Sequence, residues 1–572
     1  MTKKLKFAAS SLAVVIGLGS IVACSSQSTD KSTSSPSSSA PAGSSGSKLH
    51  IVNGKIDPPV TITTVVGIDP TAKFKNGETW ENNVHTKWAK ETLGVNIKTL
   101  WSAQVGDGSI TTKLRLMLSS GEKLPDVIRI IDKGTINMFI ESGKVMSMNE
   151  AFEKYAGKEW KSSLEEQPDA WLPFQRGKQK MALPITQSTV TSEPVLWIRK
   201  DWMDKLGLQA PKSLSDLETI MDAFANKDPD GNGKKDTIPL DFGMKEQFNG
   251  YVVGDTSWLF GAFGSVPDQW SKDANGKLAF GSIQPGVKSA LAKLKDWKVK
   301  GYIAGDIALH DWNKIVENVT SGKVGIIAGA NWFPQYPGSM VLAKDPKADY
   351  EPYAFPAGPD GKKGQYVAEP SLGGIVISKD ISQEALEAFF HYMNKLWAAS
   401  SSDDPFVLKG FQENYDYVIQ DGKAVLDEDK IPGGHVGTVK YTIPMGLPAP
   451  MSKIVDFQKK VATDEPLTPS QIAWANANGT NFNDPMRKVV GKATLLTIEQ
   501  KGFDIPNLFT GPTTSTQASR GEFLKKLEMD TFTQILYGKV PVDEFDNFVK
   551  KWQSSGGDQI TKEVNDWYNS VK

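Results

Sequence analysis

The chain has 572 residues, with 65 Lys and Arg against 66 Asp and Glu, for a formal charge of −1. That balance excludes the basic field that draws in nucleic acid and the cationic face that binds anionic lipid. The only cysteine is Cys24, which excludes a disulfide within the chain and leaves packing and metal ions to stabilise it.

Lys3, Lys4 and Lys6 precede an apolar and small-residue run from Phe7 to Val22, the charge-then-hydrophobic order of a secretory signal. The run is short for a bilayer span. Its end, Ile21-Val22-Ala23-Cys24, resembles the lipobox of bacterial lipoproteins, which implies a signal peptide over 1–23 and acylation of Cys24. Residues 24–48 are then a Ser-rich linker with little to bury, expected to act as a flexible tether spanning roughly 25–30 Å.

From Leu49 onward the chain is longer than one core normally organises, so two lobes are expected. Val60 to Val66 reads as a strand, Gly77 to Leu93 as an amphipathic helix stopped by Gly94, and Val95 to Trp101 as a second strand. A helix from Ser109 to Ser119 leads to a buried strand over Pro125–Ile131. A second series has a strand at Pro194–Ile198, a helix at Lys200–Leu206 closed by Gly207, and a capping-box signature at Ser215-Asp216-Leu217-Glu218. Trp312 to Thr320 reads as helix and Lys323 to Ala328 as strand, ending in the loop Gly329-Ala330-Asn331-Trp332-Phe333-Pro334. Helices near Glu522–Tyr537, Pro541–Trp552 and Ile560–Val571 finish the chain. Such alternation implies an α/β fold with a mostly parallel sheet.

Catalytic signatures are missing from the sequence. His50, His85, His310, His391 and His435 are scattered, with no His-Glu-x-x-His helix, and neither a Gly-x-Ser-x-Gly elbow nor a phosphate loop occurs. Asp241-Phe242-Gly243 lacks the other kinase motifs. A carboxylate pair for glycoside hydrolysis stays open, because its members need no fixed spacing.

The sharpest motif is Asp228-Pro229-Asp230-Gly231-Asn232-Gly233-Lys234-Lys235-Asp236. It follows the first nine positions of an EF-hand loop, with oxygen side chains Asp228, Asp230, Asn232 and Asp236, a turn at Gly233 and the Lys234 carbonyl. A structural Ca2+ is therefore expected there. The usual bidentate Glu is replaced by Pro239, so a further ligand must come from water or a neighbour such as Asp241.

Leu124–Ile128, Leu196–Gly207, the Asp228–Asp236 loop, Val324–Trp332 and Glu563–Tyr568 together resemble the lipid-anchored extracellular solute-binding proteins of ABC importers. Within that group the chain is most similar to the long carbohydrate-binding branch of Gram-positive bacteria, related to alginate-oligosaccharide binding proteins that carry calcium at a comparable loop. Those relatives often have an acidic ligand after the last Asp, where this chain has Thr237. The resemblance implies a two-lobed periplasmic-binding-protein-like fold with a hinge and an interlobe ligand cleft. The expected first lobe covers 49–188 and 370–440, and the second 189–369 and 441–572. Crossings are expected near Pro184–Ser192 and Pro370–Gly374. The implied function is capture of an oligosaccharide for delivery to ABC permease subunits, by a monomer held at the outer membrane face through lipid alone. Two alternatives are a calcium-stabilised surface glycosidase or polysaccharide lyase, and a lipoprotein presenting its ligand to a membrane sensor.

Sugars offer apolar faces and polar edges, so their sites need aromatic platforms with carboxylates and amides nearby. Trp332, beside Asn331 and Phe333 beyond a strand, also occupies the place of a sugar-stacking Trp in the family pattern. Gln247, Tyr251 and Trp258 supply an aromatic and polar segment in the second lobe. Asp132 follows the strand ending at Ile131, and Trp171 is a further candidate. Trp197 and Trp202 read as packing and Arg199 as a salt-bridge partner.

Overall fold

The computed structural model describes residues 49–572 except 69–71, 106–107, 188–192, 246, 400–409, 421–422, 426–427, 435, 447, 469–470 and 473–485. The expected signal peptide 1–23, the linker 24–48 and Cys24 lie outside the described residues. In chain order the main strands are β1 (Val60–Ile68), β2 (Val95–Gln104), β3 (Val127–Ile130), β4 (Leu183–Thr186), β5 (Val195–Arg199), β6 (Ile238–Asp241), β7 (Val324–Gly329), β8 (Tyr350–Tyr353) and β9 (Ser371–Ile377). Helices that bear on the site are α1 (Val84–Trp88), α2 (Ser109–Ser120), α3 (Lys133–Glu141), α4 (Leu214–Asn226), α5 (Trp312–Thr320), α6 (Met451–Thr463), α7 (Arg487–Gln500) and α8 (Ser515–Leu536). Among the described residues no helix is long and apolar enough to cross a membrane.

Helix starts differ from the sequence expectation where capping side chains decide them. The helix expected from Gly77 begins at Val84, because Thr79 holds an upstream turn by accepting from the Glu81 and Asn82 amides, while Asn83 caps the His85 and Thr86 amides. Gly94, at φ 68°, ends the helical run as expected. Helix α4 is capped by Ser213 with Asp216 rather than by Ser215 with Glu218, which places Leu214 and Leu217 in the core. Likewise Thr514 and Gln517 start α8 upstream of Glu522.

Two sheets organise two lobes. In the first lobe β9 lies between β3 and β4 and runs antiparallel to both, while β1 and β2 form a separate parallel pair. Asp126 fastens β1 beside β3, accepting from Thr63 N–H at 2.8 Å and from its hydroxyl at 2.7 Å. The second sheet has the order β6-β7-β5-β8, with β6 parallel to β7 and the other pairs antiparallel. In place of the expected mostly parallel sheet, the first lobe has an antiparallel three-stranded sheet beside a parallel pair, and the second has a mixed sheet. Strands that leave a lobe and strands that re-enter it sit side by side, and they must run in opposite directions.

Alternation along the strands feeds a core on each face. Val127, Ile375 and Ile377 pack with Phe389, Phe390 and Trp160, whereas Ile128, Ile130 and Val376 pack with Leu114 and Phe139. In the second sheet Leu196, Ile198 and Ile326 face a core that includes Phe532, Phe548 and Trp552, and Val195, Trp197 and Ile327 face the opposite side. Apolar residues on both faces explain why these strands read as continuous hydrophobic runs. Ile443 still packs with the first-lobe core.

Of the expected crossings, Pro184 belongs to β4 and Gly374 to β9, and residues 188–192 lie outside the described residues. Gln187, just after β4, donates its backbone N–H to Pro370 O at 3.1 Å and its side-chain amide to Glu369 O at 2.8 Å, which brings the end of β4 beside the segment leading into β9. A third connection follows Ile443, where Glu166 of the first lobe accepts from the N–H and hydroxyl of Ser452 on α6, at 2.8 and 2.6 Å.

Candidate functional site

Strand direction decides which loops meet. Strand β9 enters the first lobe from a crossing at Ser371 and pairs Gly374 with Ile130 of antiparallel β3, so the carboxyl end of β3, and Asp132 after it, lies at the crossing. Lys133, next in the chain, forms an ion pair with Glu369 of that crossing. In the second lobe β5 enters at Val195, which pairs with Gly329 at the end of β7. Strand β6 is parallel to β7, and Val253 bridges to Gly329 while Ala330 N–H donates to Val252 O at 2.9 Å. The loops after β3, β6 and β7 therefore all lie on the crossing side of their sheets, where ligands of α/β proteins bind.

On the first-lobe side a cavity of about 40 Å³ is lined by Thr64, Trp80, His85, Arg129, Asp132 and Tyr441, among others. Phe74 stacks on Tyr441 at 4.7 Å between ring centroids and meets Trp80 edge-on at 5.2 Å, forming an aromatic wall. Asp132 caps α3, accepting from the Thr135 amide at 2.8 Å and hydroxyl at 2.5 Å and from Arg115 at 2.9 Å. Burial pushes its carboxyl up, but these bonds outweigh that effect and hold it below the ordinary value. His85 is fully buried, with Nε2 2.9 Å from the Tyr392 hydroxyl, and burial depresses it to about 3, so the ring is neutral. Arg129 is largely buried, which pushes its guanidinium down to about 10.

A second cavity, of about 270 Å³, is bordered by both lobes and a crossing. Glu166, Gln167 and Asp169 face it from the first lobe, Asp504 and Asn507 from the second, and Glu369 from between.

The second-lobe candidates divide. Trp332 is half-buried in the loop after β7. Nearby, Trp312 at the start of α5 meets the exposed ring of Tyr336 at 6.3 Å. Gln247 and Tyr251 are also half-buried, and Tyr251 lies against Gly243 where a Cβ would collide with its ring. Others expected at the site are packed inside. Phe333 is fully buried, stacked on Trp197 at 5.3 Å and set edge-on to Tyr350 at 5.1 Å. Asn331 is buried and donates to Thr494 Oγ1 at 2.6 Å, which ties the loop to α7. Trp258 is 1% exposed, stacks on Phe355 and donates from Nε1 to Asp255 O at 3.1 Å. Trp171 is 5% exposed and packs edge-on against Phe152. The aromatic rings find apolar partners distant in sequence, and Asn331 finds a hydrogen-bond partner there. Trp197, Trp202 and Arg199 are core and salt-bridge residues, Arg199 pairing with Asp201 at 2.6 Å.

The Asp228–Asp236 loop lies between α4 and the amino end of β6, on the far side of the sheet from the crossing. Asp228 accepts from the amides of Asn232 and Gly233, and the Asn232 amide group bridges Asp230 at 2.7 Å and Asp236 at 3.0 Å. Burial and then the neighbouring Asp228 and Asp236 charges raise the Asp230 carboxyl. Asp236 is also paired with Lys323 at 3.0 Å. In this arrangement the carboxylates turn to Asn232 and Lys323, and among the described residues no group of three or more His, Cys, Asp or Glu is gathered as a metal site. Asp241 is no ligand for the loop. It stands at the other end of β6, fully buried, 2.6 Å from His310 Nδ1 and accepting from Asn318 at 2.9 Å.

Local sequence does not mark Arg129, Trp80, His85 and Tyr441 as cavity-lining residues, or Trp312 and Tyr336 as neighbouring rings. One signal was available: Arg129 interrupts the apolar run Val127-Ile128-Arg129-Ile130-Ile131. Trp80 and Tyr441 carry none, because they meet only through the fold.

Comparison with known proteins agrees with this architecture. The chain is 26% identical over 382 residues to the polygalacturonan/rhamnogalacturonan-binding protein YtcQ of Bacillus subtilis, covering 66% of this chain and 68% of that one. It is 25% identical over 499 residues to lipoprotein LipO of the same organism, covering 85% and 89%. A structure of the Streptococcus pneumoniae ABC-transporter substrate-binding protein FusA, an EF-hand mutant in complex with fructo-nystose, shares the fold with a TM-score of 0.55 at 19% identity, covering 89% of this chain and 99% of that one. The profile of bacterial extracellular solute-binding proteins matches residues 71–395, more than half of the sequence, and the chain belongs to that family.

Proposed function

We propose that this protein captures an oligosaccharide between its lobes and delivers it to the permease of an ABC importer. The observation that carries this reading is the cavity of about 270 Å³ bordered by both lobes and by the crossing at Glu369. A ligand held there touches both lobes, so its binding energy favours the closed population, the state that a permease distinguishes from the open one. Beyond the lining of that cavity, Trp332, Trp312 and Tyr336 offer partly exposed ring faces for sugar C–H surfaces, and Gln247 offers a polar edge. YtcQ, FusA and the family as a whole support a carbohydrate cargo and a transport role.

The protein acts as a monomer anchored through lipid on Cys24, a proposal supported by the lipobox-like sequence and by the similarity to LipO. Its Asp228–Asp236 loop takes Ca2+ as a structural ion. Support comes from the ligand spacing and from the mutual repulsion of Asp228, Asp230 and Asp236, which a cation would relieve while displacing Asn232 and Lys323.

Calorimetric titration of the purified protein with a panel of neutral and acidic oligosaccharides tests the central claim. Tight binding without new reducing ends or unsaturated sugars is expected. Turnover abolished by a single carboxylate substitution would replace the receptor with an enzyme.

A further inference from the structure

The Arg129 guanidinium is largely withdrawn from solvent and has no counter-ion among the described residues. Its Nε is sealed from solvent and meets no acceptor, and the side chain makes no hydrogen bond or ion pair among the described residues. Among the described residues that line its cavity the one carboxylate is Asp132, and that group is already occupied by Thr135 and Arg115. The other basic side chain in the lining, His85, is neutral at ordinary pH. A guanidinium withdrawn from water without compensation is costly, and buried charges are ordinarily paired, so an anion that enters the cavity would supply the missing partner.

Resting on the oligosaccharide reading above, we propose that this first-lobe cavity is an anion subsite in which Arg129 receives a carboxylate carried by the ligand, so that the cargo is an acidic oligosaccharide. The planar guanidinium matches a carboxylate in two parallel hydrogen bonds, which a neutral hydroxyl cannot reproduce. Size agrees. About 40 Å³ admits a group of carboxylate dimensions, equivalent to a few waters, and excludes a sugar ring. The ring then rests outside, beside the wall made by Trp80 and Tyr441, and the hydroxyls of Thr99 and Thr111 in the lining can bond to the second face of the carboxylate. Position on β3 adds precision, because a strand holds the side chain more rigidly than a loop.

The test compares trigalacturonate with its methyl ester, the same sugar without charge, by calorimetry on the wild-type protein and on Arg129→Gln. Wild type should bind the acid at least tenfold more tightly than the ester, and the variant should lose that preference while keeping its affinity for the ester. Melting of Arg129→Met supplies an independent readout: removing an uncompensated buried cation should raise the melting temperature of the free protein. Equal affinity for acid and ester, a preference that survives Arg129→Gln, or a lower melting temperature in Arg129→Met each overturns the proposal. If neutral oligosaccharides bind and trigalacturonate does not, the anion subsite falls while the receptor reading stands. If no saccharide binds, both fall.

Discussion

Phe333 stacks on Trp197 at 5.3 Å with the rings inclined by 26°, while the preceding residue, Trp332, stays half-buried at the loop surface. Adjacent aromatics thus have separate tasks, one in the core and one at the crossing side of the second lobe. Trp332→Ala should weaken oligosaccharide binding about tenfold or more, or about 1.4 kcal/mol, with little change in melting temperature. Phe333→Ala should do the reverse, costing about 3–5 kcal/mol of stability through the cavity it leaves. Calorimetry and denaturant unfolding on both variants decide between these roles, and an unchanged affinity in Trp332→Ala removes that ring from the site.

Calcium binding by the Asp228–Asp236 loop should appear as thermal stabilisation. An ion that binds only the folded chain adds about 2.7 kcal/mol when present at a hundredfold excess over its dissociation constant. Chelation should lower the melting temperature, and Asp230→Ala should abolish the response to added calcium. A wild-type melting curve indifferent to both chelator and calcium removes the ion from the loop.

Glu528 on α8 supplies a pH dependence. It is fully buried and accepts from the Ser282 hydroxyl at 3.0 Å. Burial, reinforced by the Asp268 charge and opposed by Lys525, raises its carboxyl from the ordinary 4.5 to about 8. Between those values the folded chain keeps a proton that the unfolded chain has released, so the contribution is full below the lower value and is lost as pH rises toward the upper one. Melting temperature should fall between about pH 5 and about pH 8. Glu528→Gln, which keeps the acceptor oxygen for Ser282, should flatten that part of the curve, and an equally steep curve in the variant assigns the dependence to other groups.

If Cys24 carries the proposed anchor, Cys24→Ser should release the protein from the cell surface into the medium without altering its affinity for oligosaccharide, since Cys24 precedes the described residues in the sequence. Fractionation of cells expressing each form gives the answer, and a variant that stays with the membrane refutes anchoring through Cys24.

Much of the fold was legible because local chemistry decides it. Val60–Ile68, Val195–Arg199 and Val324–Gly329 are strands for their β-branched and apolar residues, and Gly94 and Gly207 stop helices through positive φ. Ser213 rather than Ser215 capped α4 because burial of Leu214 settled between two acceptable caps. Strand direction was not legible. Whether β5 and β7 run parallel depends on the chain re-entering the lobe from a crossing, which no short window records.

By itself the amino-acid sequence determined the near-neutral charge balance, the oxygen-bearing side chains spaced along Asp228–Asp236, the lone cysteine after an apolar run, and the order of helices and strands. These depend on residues within a few positions of one another. Only the tertiary structure decided which side chains are buried and which face the crossing: Asn331 is held by Thr494, Phe333 by Trp197, and Arg129 stands in a cavity with Trp80 and Tyr441. Burial is a property of the partners that arrive from distant parts of the chain, and those partners leave no mark on the local pattern.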